Sequence, residues 1–184
     1  ETCHKYGLYL FLDGARLGYG LAAPDNDLTL PDIAALCDVF YIGGTKVGAL
    51  FGEAVVIKNP ELAQDFRYLI KQNGGMLAKG RLLGLQFDAL FTDGLYQEIS
   101  AHAIAMAEKL REAFTAKGYT YLAPNRTNQI FVIVPDAHLA KISEQFEYSY
   151  DQRIDAAHSC VRFCTGWATK EENVDALIRC VEKL

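Results

Sequence analysis

The sequence predicts an α/β fold: a strand-and-helix part with long helices over 1–118, followed by a smaller α+β domain over 119–184. Three observations predict it. Short unbroken apolar runs end in Asp-Gly or Gly-Gly, as strands buried on both faces do. The long stretch from Leu77 to Lys117 is helical in pattern. Beyond Gly118 the texture changes to short strands alternating with helices.

Each element has its own signal. Leu8-Tyr9-Leu10-Phe11-Leu12 reads as a strand buried on both faces and closed by the turn at Asp13-Gly14. Thr29 and Pro31-Asp32 start a short helix through Leu36, and Val39-Phe40-Tyr41-Ile42 is a second buried strand ending at Gly43-Gly44. Ala54-Val55-Val56-Ile57 makes a third. Asn59-Pro60-Glu61 opens a helix with a capping amide and a first-turn proline, and Leu62, Phe66, Leu69 and Ile70 share one face up to Gly74-Gly75. The 77–117 stretch breaks at Asp93-Gly94. In its second piece Ile99, Ala103, Met106, Leu110 and Phe114 form the apolar stripe, and Gly118 is a natural C-terminal cap. In the last part Ile130–Val134 and His158–Thr165 read as strands and Ala137–Phe146 as a helix. The final helix opens on Thr169-Lys170-Glu171-Glu172, a capping box, with Val174, Leu177, Ile178 and Val181 on its buried face.

Composition narrows the function. Of 184 residues, 18 are Lys or Arg and 23 Asp or Glu, so the formal net charge of -5 gives no general attraction for phosphate backbones or anionic membranes. No apolar run is long enough to span a bilayer. Five cysteines, an odd number in a chain large enough to build a core, point to reduced thiols and a cytoplasmic protein. The chain opens Glu1-Thr2-Cys3 with neither an initiator Met nor a signal-peptide pattern, which predicts a piece of a longer protein.

Open α/β sheets bind ligands at the carboxyl ends of their strands, and two such ends carry unusual residues here. The first is Asp13-Gly14-Ala15-Arg16, a carboxylate that can meet a ring nitrogen beside a guanidinium that can hold an anion. The second is Gly43-Gly44-Thr45-Lys46-Val47-Gly48, a lysine among glycines that leave space for a flat ligand. Val47 stands where a phosphate loop needs Ser or Thr, so Lys46 is not a nucleotide-binding lysine. A strand-end Asp and a strand-end Lys one helix-strand unit apart fit pyridoxal phosphate chemistry. The lysine forms the Schiff base, and the carboxylate keeps the pyridine nitrogen protonated so that the ring acts as an electron sink.

Leu12-Asp13-Gly14-Ala15-Arg16-Leu17 and Tyr41-Ile42-Gly43-Gly44-Thr45-Lys46-Val47-Gly48 resemble the cofactor motifs of the low-specificity L-threonine aldolases. These belong to the β-eliminating lyase group of fold-type I pyridoxal enzymes, and the likeness runs through the whole chain as the C-terminal portion of such a protein. It implies that 1–118 is part of a large domain with a mostly parallel sheet plus connecting helices, and 119–184 the small C-terminal domain. It implies that Lys46 carries the pyridoxal 5'-phosphate, that Asp13 pairs with the pyridinium as the second catalytic residue, and that Arg16 engages the cofactor or the substrate carboxylate. Val161-Arg162-Phe163-Cys164-Thr165 looks like the segment whose arginine binds that carboxylate, a task suited to a bidentate fork. Lys71 falls where the family has a basic residue near the mouth of the site. Thr45 stands before the lysine where many members carry serine-rich residues. The phosphate-cradling loop and the ring-stacking aromatic are implied upstream of Glu1.

The expected reaction is cleavage of L-threonine or L-allo-threonine, β-hydroxy-α-amino acids, to glycine and an aldehyde. The expected partners are a small amino-acid substrate and a missing upstream segment or partner chain, in a homodimer or homotetramer, with no nucleic acid or membrane. Another pyridoxal-dependent lyase or aminotransferase is the alternative of the same cofactor class, since one fold hosts several chemistries. A non-catalytic fragment that completes a site with a partner chain is the alternative of a different class. In strand alternation His158, Cys160, Arg162 and Cys164 share a face, but no paired metal-ligand spacing accompanies them and no metal is expected.

Overall fold

The structure, a computed structural model, describes residues 1–184. Its contacts form two compact units, Glu1–Leu21 with Asn26–Glu98, and Ala22–Asp25 with Ile99–Leu184. The division falls inside a long helix, whereas the change of sequence texture lies near 118. The reason is packing: Met106, Ala107, Leu110 and Phe114 of that helix belong to the core of the second unit.

The first unit opens with a single turn, α1 (Thr2–Lys5), followed by β1 (Phe11–Leu12), α2 (Leu17–Leu21), α3 (Leu30–Leu36), β2 (Val39–Gly43) and β3 (Glu53–Ile57). Its sheet has the order β1-β2-β3. β1 runs parallel to β2, with Leu12 opposite Phe40, and β3 returns antiparallel, with Gly43 opposite Glu53. A capping box starts α3: Asp32 N–H donates to Thr29 Oγ1 and Thr29 N–H to the Asp32 carboxylate. Ile33, Cys37 and Phe40 form the centre of the core, with Leu12, Leu17, Ile42 and Val56 packed against it. The Leu8–Leu12 run is not buried on both faces as its composition predicts. Tyr9 and Phe11 are 59% and 58% exposed, and only Phe11–Leu12 of the run pairs as a strand.

The helix predicted from Pro60 is two short ones, α4 (Pro60–Ala63) and α5 (Phe66–Gln72). Asp65 between them takes a left-handed φ of 57°, which no continuous helix allows. Next come α6 (Arg81–Phe91) and α7 (Leu95–Ala116), separated by Asp93 and Gly94, both at positive φ, as the sequence predicts.

In the second unit, α7 is followed by β4 (Thr120–Tyr121), β5 (Gln129–Pro135), α8 (Asp136–Ile142), β6 (Ser149–Arg153), β7 (His158–Cys164) and α9 (Glu171–Glu182). The four strands form an antiparallel sheet ordered β4-β5-β7-β6. Alternation sets its inner face: Ile130, Val132 and Val134 of β5 and Val161 and Phe163 of β7 meet Leu139 and Ile142 of α8 and Val174, Leu177 and Val181 of α9. The capping box predicted for α9 does not form. Lys170 is the N-cap without a side-chain bond, and Thr169 Oγ1 accepts the Gly166 N–H at 2.8 Å instead. The strand β6 carries no apolar alternation and lies exposed along its whole length, so its sequence gives no strand signal. No helix is long and apolar enough to cross a membrane.

Candidate active site

The ends of β1 and β2 are locked together by backbone. Gly43 N–H donates to Gly14 O at 2.9 Å, and Leu17 N–H donates to the same oxygen at 2.9 Å. A Cβ on Gly14 would stand 1.7 Å from Tyr41 O, and one on Gly43 would stand 2.4 Å from Ala15 O. These two glycines are therefore required by the close approach of two chain segments. The expectation that the glycines before Lys46 leave space for a flat ligand is corrected here. The space at Gly44 is also filled, by Gly52 O at 2.6 Å and the Phe87 ring at 2.7 Å.

That packing holds the two candidate loops side by side. The buried Tyr96 hydroxyl accepts from Gly18 N–H at 3.1 Å and donates to Gly43 O at 2.9 Å, tying the start of α2 to the end of β2. Burial pushes the Tyr96 phenol up to about 12, so it stays a donor at any physiological pH. Tyr19, 1% exposed, donates its hydroxyl to Lys46 O at 2.5 Å and so fixes the lysine's backbone. Glu53 Oε2 accepts the Gly44 N–H at 2.7 Å. Thr45 is used within the loop. Its Oγ1 accepts from Gly52 N–H at 3.0 Å and donates to Gly52 O at 3.4 Å, which ties the hydroxyl to backbone on both sides.

On this frame stand three charged side chains. Asp13 is exposed just beyond β1, and its Oδ1 accepts both the Tyr41 hydroxyl and the Ala15 N–H. The Tyr41 bond, then the Ala15 bond, and more weakly the cations of Lys46 and Arg16 hold its carboxyl below the usual range. Asp13 is thus ionised at neutral pH with Oδ2 free of hydrogen bonds. Lys46 is exposed in the turn after β2, and Arg16, half-buried, precedes α2. Both act electrostatically on Asp13. Neither the Lys46 ammonium nor the Arg16 guanidinium takes an intramolecular partner, so both are open to a ligand. Lys71 lies exposed near the C-terminal end of α5 and is not among the groups that act on Asp13.

Arg162 stands in the second unit, on β7. Its guanidinium donates to Gln129 Oε1 at 3.2 Å and Ser149 Oγ at 3.5 Å and lies 6.0 Å from the Phe131 ring centre. Its Nε is buried without a partner, an omission that costs about 1–3 kcal/mol unless a ligand or water fills it. A cavity of about 380 Å³ is bordered by Arg162 together with Tyr148, Ser149, Thr165 and Asn173. The other polar residues of β7 take separate partners: His158 binds the Asp155 carboxylate at 2.9 Å, and Cys164 Sγ meets the Asn128 amide at 3.5 Å.

Sequence reasoning located Asp13, Arg16 and Lys46, and the structure brings these three together. It missed Tyr41, Tyr19 and Tyr96, which tie the loops and orient Asp13. Strand register carries a signal for the first: Leu12 faces Phe40, so the next residues, Asp13 and Tyr41, are within reach of each other. Tyr19 and Tyr96 act over separations of 27 and 53 residues, which no local pattern reports.

No family model matches the chain. It is 31% identical over 180 residues to the low specificity L-threonine aldolase of Pseudomonas sp. (strain NCIMB 10558), which covers 96% of this chain and 50% of that protein. It superimposes on the solved structure of Leishmania major threonine aldolase with a TM-score of 0.96 and 42% identity, over 99% of this chain and 53% of that one. The chain thus spans about half the length of the relatives it matches. Catharanthus roseus tryptophan decarboxylase, 14% identical over 99% of this chain and 44% of that one with a TM-score of 0.72, shares the fold alone. The architecture is that of fold-type I pyridoxal enzymes.

Proposed function

We propose that this chain is about half of a pyridoxal 5'-phosphate-dependent aldehyde-lyase that cleaves L-threonine and L-allo-threonine to glycine and an aldehyde. The observation that carries it is the triad of Asp13, Arg16 and Lys46 on one rigid frame, in a chain similar along its whole length to L-threonine aldolases. In the complete protein the first part belongs to the cofactor-binding domain with its connecting helices, over 1–118, and 119–184 to the small domain.

The donor set fits the cofactor. Asp13 offers one free, ionised carboxylate oxygen, suited to a protonated ring nitrogen, and Lys46 offers an exposed amine suited to an aldehyde. The bound cofactor supplies an electron sink for the pair released when the Cα–Cβ bond breaks. The residues of this chain bind and orient. Lys46 would hold the cofactor through its Nζ, an exposed amine. Asp13 Oδ2 keeps the proton on the ring nitrogen. Arg162, and Arg16 beside Asp13, hold the substrate carboxylate by charge-assisted hydrogen bonds, which sets the amino acid's orientation. Lys71 adds positive charge near the mouth.

A homodimer or homotetramer and an upstream segment or partner chain complete the site. The exposed apolar residues leading into β1, Leu8, Tyr9, Leu10 and Phe11, support this as surface for such a neighbour. The five free thiols support a cytoplasmic setting. Product analysis with the complete protein tests the reaction: glycine and acetaldehyde from threonine are expected, whereas a keto acid with ammonia would make it an eliminating enzyme on the same cofactor.

A further inference from the structure

The carboxylate at the end of β1 has two oxygens in different environments. Oδ1 is saturated by the Tyr41 hydroxyl and the Ala15 N–H, the latter at 3.0 Å, while Oδ2 accepts nothing from the chain. Tyr41 reaches Asp13 because β1 and β2 are parallel and in register at Leu12 and Phe40. Its ring is fixed by Phe11, whose centre lies 6.0 Å away at 46°.

We propose that Tyr41 is a positioning residue for Asp13: by occupying Oδ1 it turns Oδ2 toward the cofactor's ring nitrogen and keeps the carboxylate in that rotamer. The inference rests on the functional reading above and extends it to an uncharged residue, at the start of the second motif, to which the sequence assigns no role. Two donors on one oxygen define the rotation of the carboxylate plane, which the backbone N–H alone leaves free to swing. The phenol is kept a donor by the same contact: the hydrogen bond to Asp13, with burial and the Asp13 charge, pushes Tyr41 up to about 12. A phenylalanine here keeps the ring packing and deletes only the donor.

The test compares Tyr41→Phe with the unaltered complete protein in three measurements. Carboxyl-carbon NMR of the cofactor-free protein follows the Asp13 titration. Borohydride reduction with pyridoxal phosphate followed by peptide mapping follows Lys46. Steady-state kinetics separates kcat from KM. The expected result is that Asp13 in Tyr41→Phe titrates at a higher pH than in the parent. Lys46 is still labelled, and kcat falls about tenfold, the scale of one lost hydrogen bond, with KM nearly unchanged. An Asp13 titration that does not move, or kcat that does not fall when it does, overturns the positioning role while leaving the cofactor reading intact. An unlabelled Lys46 in the parent protein overturns both.

Discussion

Asp13 has two oxygens in different surroundings: Oδ1 accepts from Tyr41 and Ala15, and Oδ2 is the one proposed to meet the cofactor's ring nitrogen. Asp13→Ala is expected to keep weak cofactor binding through Lys46 and to lower turnover by about a hundredfold or more, the scale of one lost preorganised electrostatic partner. Absorbance of bound cofactor alongside threonine cleavage measures the two effects separately. The glycines around it answer to geometry alone. Gly14→Ala places a methyl 1.7 Å from Tyr41 O, a backbone atom that has nowhere to go. Its expected cost is about 3 kcal/mol or more of stability, seen as a lower urea midpoint. The chemistry-bearing residue types were legible in the sequence because Asp-Gly and Gly-Gly-Thr-Lys sit at strand ends. The tyrosines that orient them were not, since a tyrosine in an apolar strand reads simply as core.

Elements were most legible where a local signal agreed with packing. The helix start signalled by Thr29 and Pro31-Asp32 forms, sealed by a capping box, and the break at Asp93-Gly94 forms as predicted. The similar box at Thr169 and Glu172 does not, because Thr169 finds the Gly166 N–H first. Strand β6 was illegible because an exposed edge strand needs no apolar face. Gly118, at φ 84° with open space around it, isolates backbone strain from crowding. Gly118→Ala should cost about 1–2 kcal/mol, less than Gly14→Ala, by the same unfolding measurement. The loop after β4 is tied to α7 through Glu108, which accepts hydrogen bonds from Arg111 and Arg126. Burial raises the Glu108 carboxyl, but those two arginines outweigh it and hold it below its ordinary value. A lowered folded value means that this stabilisation is complete above the ordinary glutamate range and disappears as pH falls through the lowered one. Glu108→Gln is expected to be less stable at pH 7 and to show a shallower loss of stability between pH 5 and 3, read by urea unfolding at each pH.

At the scale of the molecule, a chain of net charge -5 concentrates two cations and one carboxylate at the ends of adjacent parallel strands, and places a partly unsatisfied arginine on a separate sheet. The overall α/β class and the change of texture toward the C-terminal sheet were legible in the sequence. The division of contacts inside α7 was not, because an apolar stripe shows that a helix is buried but not against which sheet. The central claim is that Lys46 carries pyridoxal phosphate, and its most direct test is borohydride reduction of the complete protein with that cofactor, followed by peptide mass mapping. A stable pyridoxyl adduct on Lys46, absent from Lys46→Ala, is the predicted result. A folded, complete protein that yields no adduct at Lys46 would contradict the account.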